Sequence, residues 1–529
     1  MTLDEYFGQV EDPGFGEEFT SDQYQTPFLS QSLIRKKSDS ISQVIDYWNR
    51  EYRFRNARAF EFLNRAVSRK SNQDAPSMIG EVDRNELDRS VESPPSEALA
   101  TSIDQAEKDA AEQLASRVNN GKDSSKLGLV VLNPNSFTRR QKIEVGNNLD
   151  LDTSVEPVFA ACQSSRELVV DVPAMGFVSI PPGNFVSKVR AKRQVPLVED
   201  LTLRNEFLEL TLDEASGALR SIHLYGQRGN VFSQQLAIRQ RAARQSRGGA
   251  STVYSIMKAD SVKVIENGSV SAAIQARGKI MSGDNDGEVL AEFQQTFRLI
   301  RGKRVIECDV ELSPQKAPRN DPWNSYYCLR FAWPNESATL YRSVNDTRNP
   351  VSENKFEAPQ FIEIDDASSR ITLLTNGLPY HRRVGYRKLD SLLIVSGESR
   401  QRFRYGIGVG IENPNQQAAD FATSCATVEC PAGDSKSAFL FHFDQRSVMA
   451  TDWEAISNDQ GECIGARIRI LECKGRSGTL QITAPYDVIR CHRTNFNRQV
   501  ETDGKVDKGK GVFDFGANDY FQVELFWKA

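Results

Sequence analysis

Residues 203–224 read LRNEFLELTLDEASGALRSIHL. Apolar and polar residues alternate along this stretch and turn-forming residues interrupt it. That is the pattern of half-buried strands, because side chains on a strand alternate between two faces. The pattern continues outward in both directions. Upstream lie GLVVLNP, QKIEVG, RELVVDVP and GFVSIPP. Downstream lie SVSAAIQARGKI, LAEFQQTFRLIRGKRVIECDVEL, RITLLTNG, SLLIVSG, YGIGVGI, AFLFHF, ARIRILEC, TLQITAPY and YFQVELFW. Many short strands with no long helix between them argue for antiparallel sandwiches and against a doubly wound parallel sheet.

Before about residue 127 the period changes. Ser38-Asp39-Ser40 offers N-capping oxygens to a run in which Ile41, Val44, Ile45, Trp48, Tyr52, Ala59, Phe62, Leu63, Ala66 and Val67 recur mostly every three or four residues. This is one face of a helix. The other face carries Arg50, Arg53, Arg55, Arg58, Arg65 and Arg69, with Glu51 and Glu61 among them, and reads as a solvated face. Residues 71–95 are polar, end in Pro94-Pro95 and read as a linker. Ser96-Glu97 then opens a second helix, striped by Leu99, Ile103, Ala106, Ala110, Leu114 and Val118, which stops at Asn119-Asn120-Gly121. Residues 1–37 have no clear period and read as an irregular arm, with Tyr24, Phe28 and Leu33 as docking points.

A single core stops growing at roughly 250–300 residues, so 529 residues imply several units. The composition shifts place a helical region at 38–126, a small sandwich at 127–190 and a large one at 195–445. A terminal β domain follows at 446–529, entered through a crossing segment that runs to about Ile464. Pro181-Pro182-Gly183 and the basic stretch Lys188–Arg193 mark the hinge between the two sandwiches. There are 66 Lys+Arg against 71 Asp+Glu, for a net charge of -5, which argues against nucleic acid as a partner. No apolar run is long enough to span a membrane and the start is acidic, so neither a membrane span nor a secretory signal is expected, and the expected location is cytoplasmic. The eight cysteines lie largely within apolar alternation and read as buried free thiols.

Several of these segments, in order, resemble the C-terminal half of glycoside hydrolase family 38, the retaining α-mannosidases. Leu129–Arg140 (LVVLNPNSFTRR) is similar to the family's valine-rich strand followed by Asn-Pro and aromatic-Thr-Arg. Val172–Pro182 (VPAMGFVSIPP) is similar to its Val-Pro-x-x-Gly-aromatic strand. Leu203–Leu224 resembles the start of its large supersandwich, Phe293–Leu312 a hairpin within it, and Thr372–Val395 the strands flanking Asn-Gly-Leu-Pro. The resemblance implies a mainly β chain: a helical N-terminal region, then β-sandwich domains including a galactose-mutarotase-like supersandwich. In the family, zinc is held by a His-x-Asp pair, an Asp nucleophile and a further His, in or beside an N-terminal (β/α) domain. Here the four histidines are His223, His381, His442 and His492, and the only His-x-Asp is His442-Phe443-Asp444, on a late strand. Zinc needs three or four placed ligands, and retaining hydrolysis needs two carboxylates about 5–5.5 Å apart. None of these can be placed, so no catalytic residue, metal ligand or cofactor is assigned. Zinc is expected only where a catalytic domain is supplied elsewhere.

Two loops carry the residue types that bind sugars. Asn320–Tyr327 offers Trp323 as a stacking platform, with Asp321 and Asn324 as hydroxyl partners. The second gathers Tyr380, His381, Arg382 and Arg383 in GLPYHRR. Arg and Tyr donate to hydroxyls and aromatic rings stack on pyranose faces. Against this stands the bland alternative for each: a solvated loop at 380–383, and a Trp323 that plugs a sandwich end while Asp321 caps a turn. His223 reads as a strand histidine bonded to a backbone partner, and His442 with Asp444 as a same-face pair at a core edge. Cys491 and His492 face opposite sides, and Cys425-x4-Cys430 lacks a second ligand pair. Gly406, Gly408 and Gly410 recur every second residue with no helix after them, so they read as strand glycines and not a phosphate loop. Three functions stay open: a non-catalytic carbohydrate-binding or scaffolding half of a mannosidase-like hydrolase, an active sugar enzyme of glycosidase or mutarotase type, and a purely structural module.

Overall fold

The computed structural model describes residues 35, 37–68, 82, 84–91, 93–119, 126–190, 195–241, 252–283, 287–366, 369–431, 433–434 and 436–528. The chain is mainly β. Helices α1 (Ser40–Ser68), α2 (Arg84–Arg89) and α3 (Glu97–Val118) precede the strands, and α4 (Pro414–Ala422) interrupts them late. Among the described residues the strands form six sheets, with every pairing antiparallel.

Three sandwiches follow from these sheets. The small one packs a sheet built on Leu127–Asn133 and Gly176–Ile180 against one built on Arg139–Glu144, Glu167–Val172 and Val158–Cys162. Its core is Leu129, Val131, Ile143, Val170 and Val178. The large one faces a ten-stranded sheet with a nine-stranded sheet. In it Phe331 packs on Tyr405, ring centroids 5.9 Å apart, and Phe232 stacks on Phe331 at 5.5 Å. The terminal sandwich packs four strands against five around Trp453, Phe441, Phe513 and Trp527. Phe62 of α1 enters this last core, 5.1 Å from both Phe441 and Trp453.

The expected boundary at 445 does not separate the sheets. Ala426–Pro431 pairs with Leu127–Asn133, and Lys436–Phe439 pairs with Gly176–Ile180, so both strands return to the small sandwich. The expected crossing segment, Asp444-Gln445-Arg446 to about Ile464, instead holds most of a hairpin in which Val448–Ser457 pairs with Cys463–Glu472. The expected linker 71–95 holds α2, whose Leu87 is fully buried against Phe54, Leu99 and Ile103. Of the expected arm at 1–37, Tyr24, Phe28 and Leu33 lie outside the described residues.

Helix ends differ in how they are satisfied. Ser96 Oγ accepts from the Leu99 amide, so α3 carries its own N-cap as its sequence suggests. The N-terminus of α1 is capped from 357 residues away: the Glu398 carboxylate accepts from the Ile41 amide at 3.0 Å, the Ser42 amide at 3.3 Å and the Ser42 hydroxyl. Asp39 instead accepts from Ser399. Burial raises the Glu398 carboxyl above its ordinary value despite those donors. The arginine face of α1 is likewise not simply solvated. Arg53 meets Asp104 and Glu107 of α3, Arg55 meets Asp346, and Arg58 meets Asp452 of the terminal sandwich. Guanidiniums that pattern alone assigns to water serve as ties between units.

All eight cysteines are free thiols and buried. Gly406 and Gly408 lie within strand Arg402–Val409, and a Cβ at Gly408 would stand 2.6 Å from Ile411 Cγ1. Close packing, not phosphate, accounts for a glycine there.

Candidate functional site

The two loops singled out in the sequence converge on one face of the ten-stranded sheet, the face turned away from the nine-stranded one. Tyr380–Arg383 is a strand, not a loop. Tyr380 and Arg382 therefore share the outer face, while His381 and Arg383 take the inner one. Arg382 donates to the Trp323 carbonyl and, at 3.0 Å, to Asn324 Oδ1. The Trp323 ring meets Tyr380 edge-on at 5.9 Å, and Lys355 Nζ lies 5.5 Å from its centroid. Asp321 accepts from Asn324 Nδ2 at 3.0 and 3.1 Å, and its carbonyl accepts from the Asn324 and Ser325 amides, which closes the turn.

His381 is corrected from rim to core. It is fully buried, with Nδ1 2.8 Å from Ser391 Oγ and Nε2 3.1 and 3.2 Å from the Leu378 and Ala358 carbonyls. Carbonyls only accept, so Nε2 carries the proton and Nδ1 accepts from Ser391. Burial pushes its pKa down to about 4. Tyr380 is also fully buried, so its ring is no sugar platform.

Next to Arg382 runs a row of polar side chains that the sequence reading passed over. Strand register places Lys355 opposite Arg382, Arg382 opposite Asp390, Asp390 opposite Arg330, and Arg330 opposite Gln235. Asp390 is fully buried, and its Oδ2 accepts from Tyr254 at 2.7 Å and Tyr326 at 2.9 Å. Arg330 Nε stands 3.9 Å from Asp390 Oδ1, which makes no hydrogen bond, and its guanidinium lies over the Tyr254 ring at 3.5 Å. Arg239 donates to Tyr254 Oη at 2.7 Å. Burial raises the Asp390 carboxyl above the usual carboxylate range, against Arg330 and the two tyrosine hydroxyls. The signal was a lone Asp in the apolar run LDSLLIV and a lone Arg in YYCLRFA. A buried charge in a strand needs a partner, and here the partner comes from the neighbouring strand.

A second concavity has no counterpart in the sequence reading. A cleft of about 900 Å³ opens where α1, α2, the turn at Asn345–Asp346 and the terminal sandwich meet. Asn345 and Asp346 both have positive φ, 46° and 61°, as a two-residue hairpin turn of this kind requires. That turn aims Asp346 at Arg55 (3.0 Å) and at Gln360, and Gln360 also donates to Tyr52 Oη at 3.1 Å. Glu51 joins Arg55 at 2.9 Å and Arg84 at 3.0 Å. Burial opposes the charge on Arg55, but Asp346 and Glu51 outweigh it and hold the group protonated.

Among the described residues the four histidines are not grouped with other ligands as a zinc site requires. Both ring nitrogens of His381 are engaged. His223 Nδ1 meets the Gly229 carbonyl at 3.0 Å and His492 meets Asp503 at 3.0 Å. His442 and Asp444 are exposed, and the His442 ring leans on Phe439 at 4.9 Å. Among the described residues no three His, Cys, Asp or Glu side chains group as a metal site.

No protein-family model matches the sequence, and no curated protein matches it. Solved structures do. An α-mannosidase from Enterococcus faecalis V583 aligns over 94% of this chain and 68% of its own, at TM-score 0.65 and 11% identity. A protein in glycosyl hydrolase family 38 from Enterococcus faecalis aligns over 94% and 71%, at 0.63 and 11%. The chain has a family 38 α-mannosidase fold. It spans about two thirds of those mannosidase chains, and the likeness extends to architecture, with sequence identity too low to carry site residues across. A galactose mutarotase related enzyme from Lactobacillus acidophilus aligns over 40% of this chain at TM-score 0.25 and 7% identity. Among the described residues no helix is long and apolar enough to cross a membrane.

Proposed function

We propose that this chain is a carbohydrate-binding β half of an α-mannosidase-like hydrolase, with hydrolysis and zinc supplied by a (β/α) domain outside this sequence. The observation that carries the reading is the meeting of Trp323, Asn324 and Arg382 above the Asp390 row, on a chain whose architecture follows an α-mannosidase over nearly its whole length. Trp323 is half-buried, and its exposed part would lie against a pyranose face. Asn324 and Arg382 lie beside it and Lys355 Nζ stands over the ring, donors that a sugar hydroxyl would share with their present partners. Asp390 lies buried behind them, tied to Tyr254 and Tyr326, and holds the base of the row in place.

The test is calorimetric titration with α-mannosides and a panel of neutral oligosaccharides. Binding that weakens about tenfold or more in Trp323→Ala, the scale of a lost sugar-stacking contact, supports the reading. Zinc-dependent turnover of aryl α-mannosides by the chain alone overturns its non-catalytic part. One observation favours a second, architectural reading: Arg382 already bonds the Trp323 carbonyl, and the indole edge packs on buried Tyr380. Under it Trp323→Ala loses stability and no saccharide binds.

A further inference from the structure

The wall of the cleft opposite the Asn345–Asp346 turn holds an unbalanced charge cluster. Arg58 of α1 and Arg469 of the terminal sandwich share a single carboxylate, Asp452, at 3.0 Å and 3.6 Å. Their side chains keep 36% and 41% of their exposure. Arg469 also meets Gln522 Oε1 at 3.3 Å, a neutral partner. Two guanidiniums against one carboxylate leave a local positive charge on this one wall of a cavity whose size lies within the usual range for ligand pockets. The floor is different: Arg55 and Arg84 face three carboxylates there, Glu51, Asp346 and Asp88, so the positive charge is confined to the Arg58–Arg469 wall. Beside the cluster, Tyr520 is 47% exposed and rests on Phe496 at 5.0 Å, and across the cleft Trp48 is half-buried. Planar rings beside a pair of exposed guanidiniums suit a ligand with a ring body and an anionic group.

We propose that this cleft binds an acidic saccharide, its carboxylate or phosphate held between Arg58 and Arg469 and a sugar ring lying against Tyr520. The site is separate from the Trp323 face and does not depend on it. Binding displaces Asp452 from part of its hold on the two guanidiniums, so Asp452 competes with the ligand.

The experiment titrates the full chain with a hexuronate oligosaccharide, a hexose 6-phosphate, a neutral oligosaccharide of matched length and inorganic phosphate. The proposal expects an acidic sugar to bind more tightly than both the neutral sugar and phosphate alone, and the two acidic probes tell carboxylate from phosphate. Arg58→Gln and Arg469→Gln should each weaken that binding about tenfold, the scale of one charge-assisted hydrogen bond. Asp452→Asn should tighten it severalfold, which a merely structural bridge would not do. Trp323→Ala should leave it unchanged, which separates this site from the other. Acidic and neutral probes binding the wild-type chain equally, or no acidic probe binding at millimolar concentration, would overturn the proposal, as would acidic-probe affinity indifferent to Asp452→Asn in a folded variant.

Discussion

His381 offers the sharpest check on the packing described above, because a buried neutral imidazole makes stability depend on pH in a defined direction. In the unfolded chain it takes a proton near 6.5, whereas in the fold it stays neutral to about 4. Between those values the unfolded state binds more protons, so stability rises with pH there. The contribution is complete above 6.5, falls as the solution is acidified and is lost by about 4. At about 1.4 kcal/mol per pH unit, the full span is worth about 3 kcal/mol. The perturbation is His381→Gln, whose amide can accept from Ser391 and donate to the Leu378 or Ala358 carbonyl without ever ionising. Carboxylates titrate in the same window, so the quantity to measure is the wild-type minus variant difference in denaturant midpoint, read from pH 7.5 down to 4.5. That difference should move against the wild type as pH falls. Histidine NMR gives the independent readout: with four histidines in the chain, one imidazole should remain neutral below pH 5, and its signal should vanish in His381→Gln. A difference that is flat with pH, together with all four imidazoles titrating near 6.5, would refute the burial and its hydrogen bonds, and would return His381 to the surface.

Three further outcomes follow from the same structure. The carboxyl of Asp390 is raised by burial, so the folded state holds its proton more tightly; stability from this group is present at acid pH and lost as pH rises through its folded value, and Asp390→Asn should flatten that decline in pH-resolved thermal unfolding. Gly377 sits at φ 88°, and a Cβ there would meet Ile45 Cα at 2.7 Å, so Gly377→Ala should cost about 1–3 kcal/mol and increase proteolysis within α1. A double-mutant cycle on Arg55 and Asp346 should return a coupling of about 0.5–3 kcal/mol, and a value near zero would mean the turn and α1 are not tied through this pair.

The candidate site was legible in part. Trp323, Asn324 and Arg382 are polar-loop or strand-end residues whose chemistry shows in their type, and the structure does bring them together. His381 was misplaced because residues 380–383 follow a turn and are polar, yet they pair with Lys388–Ile394 as an internal strand, and alternation sends every second side chain into the core. Asp390 was overlooked because one Asp in an apolar strand looks like noise until Arg330 appears opposite it.

Period and composition decided the class of this protein: alternation with a repeat of two, a helical repeat before residue 127, and turn residues between them are local properties, carried by neighbours in the chain. Partnership was decided only in three dimensions. Nothing near Ala426 says that its strand joins one almost 300 residues earlier, nothing near Ser40 says that Glu398 caps its helix, and the arginines of α1 show no preference for water or for Asp346 and Asp452 until those carboxylates arrive. Hydrogen bonds and ion pairs between distant segments depend on which surfaces meet, and that follows from burying all the apolar faces at once, not from any one stretch.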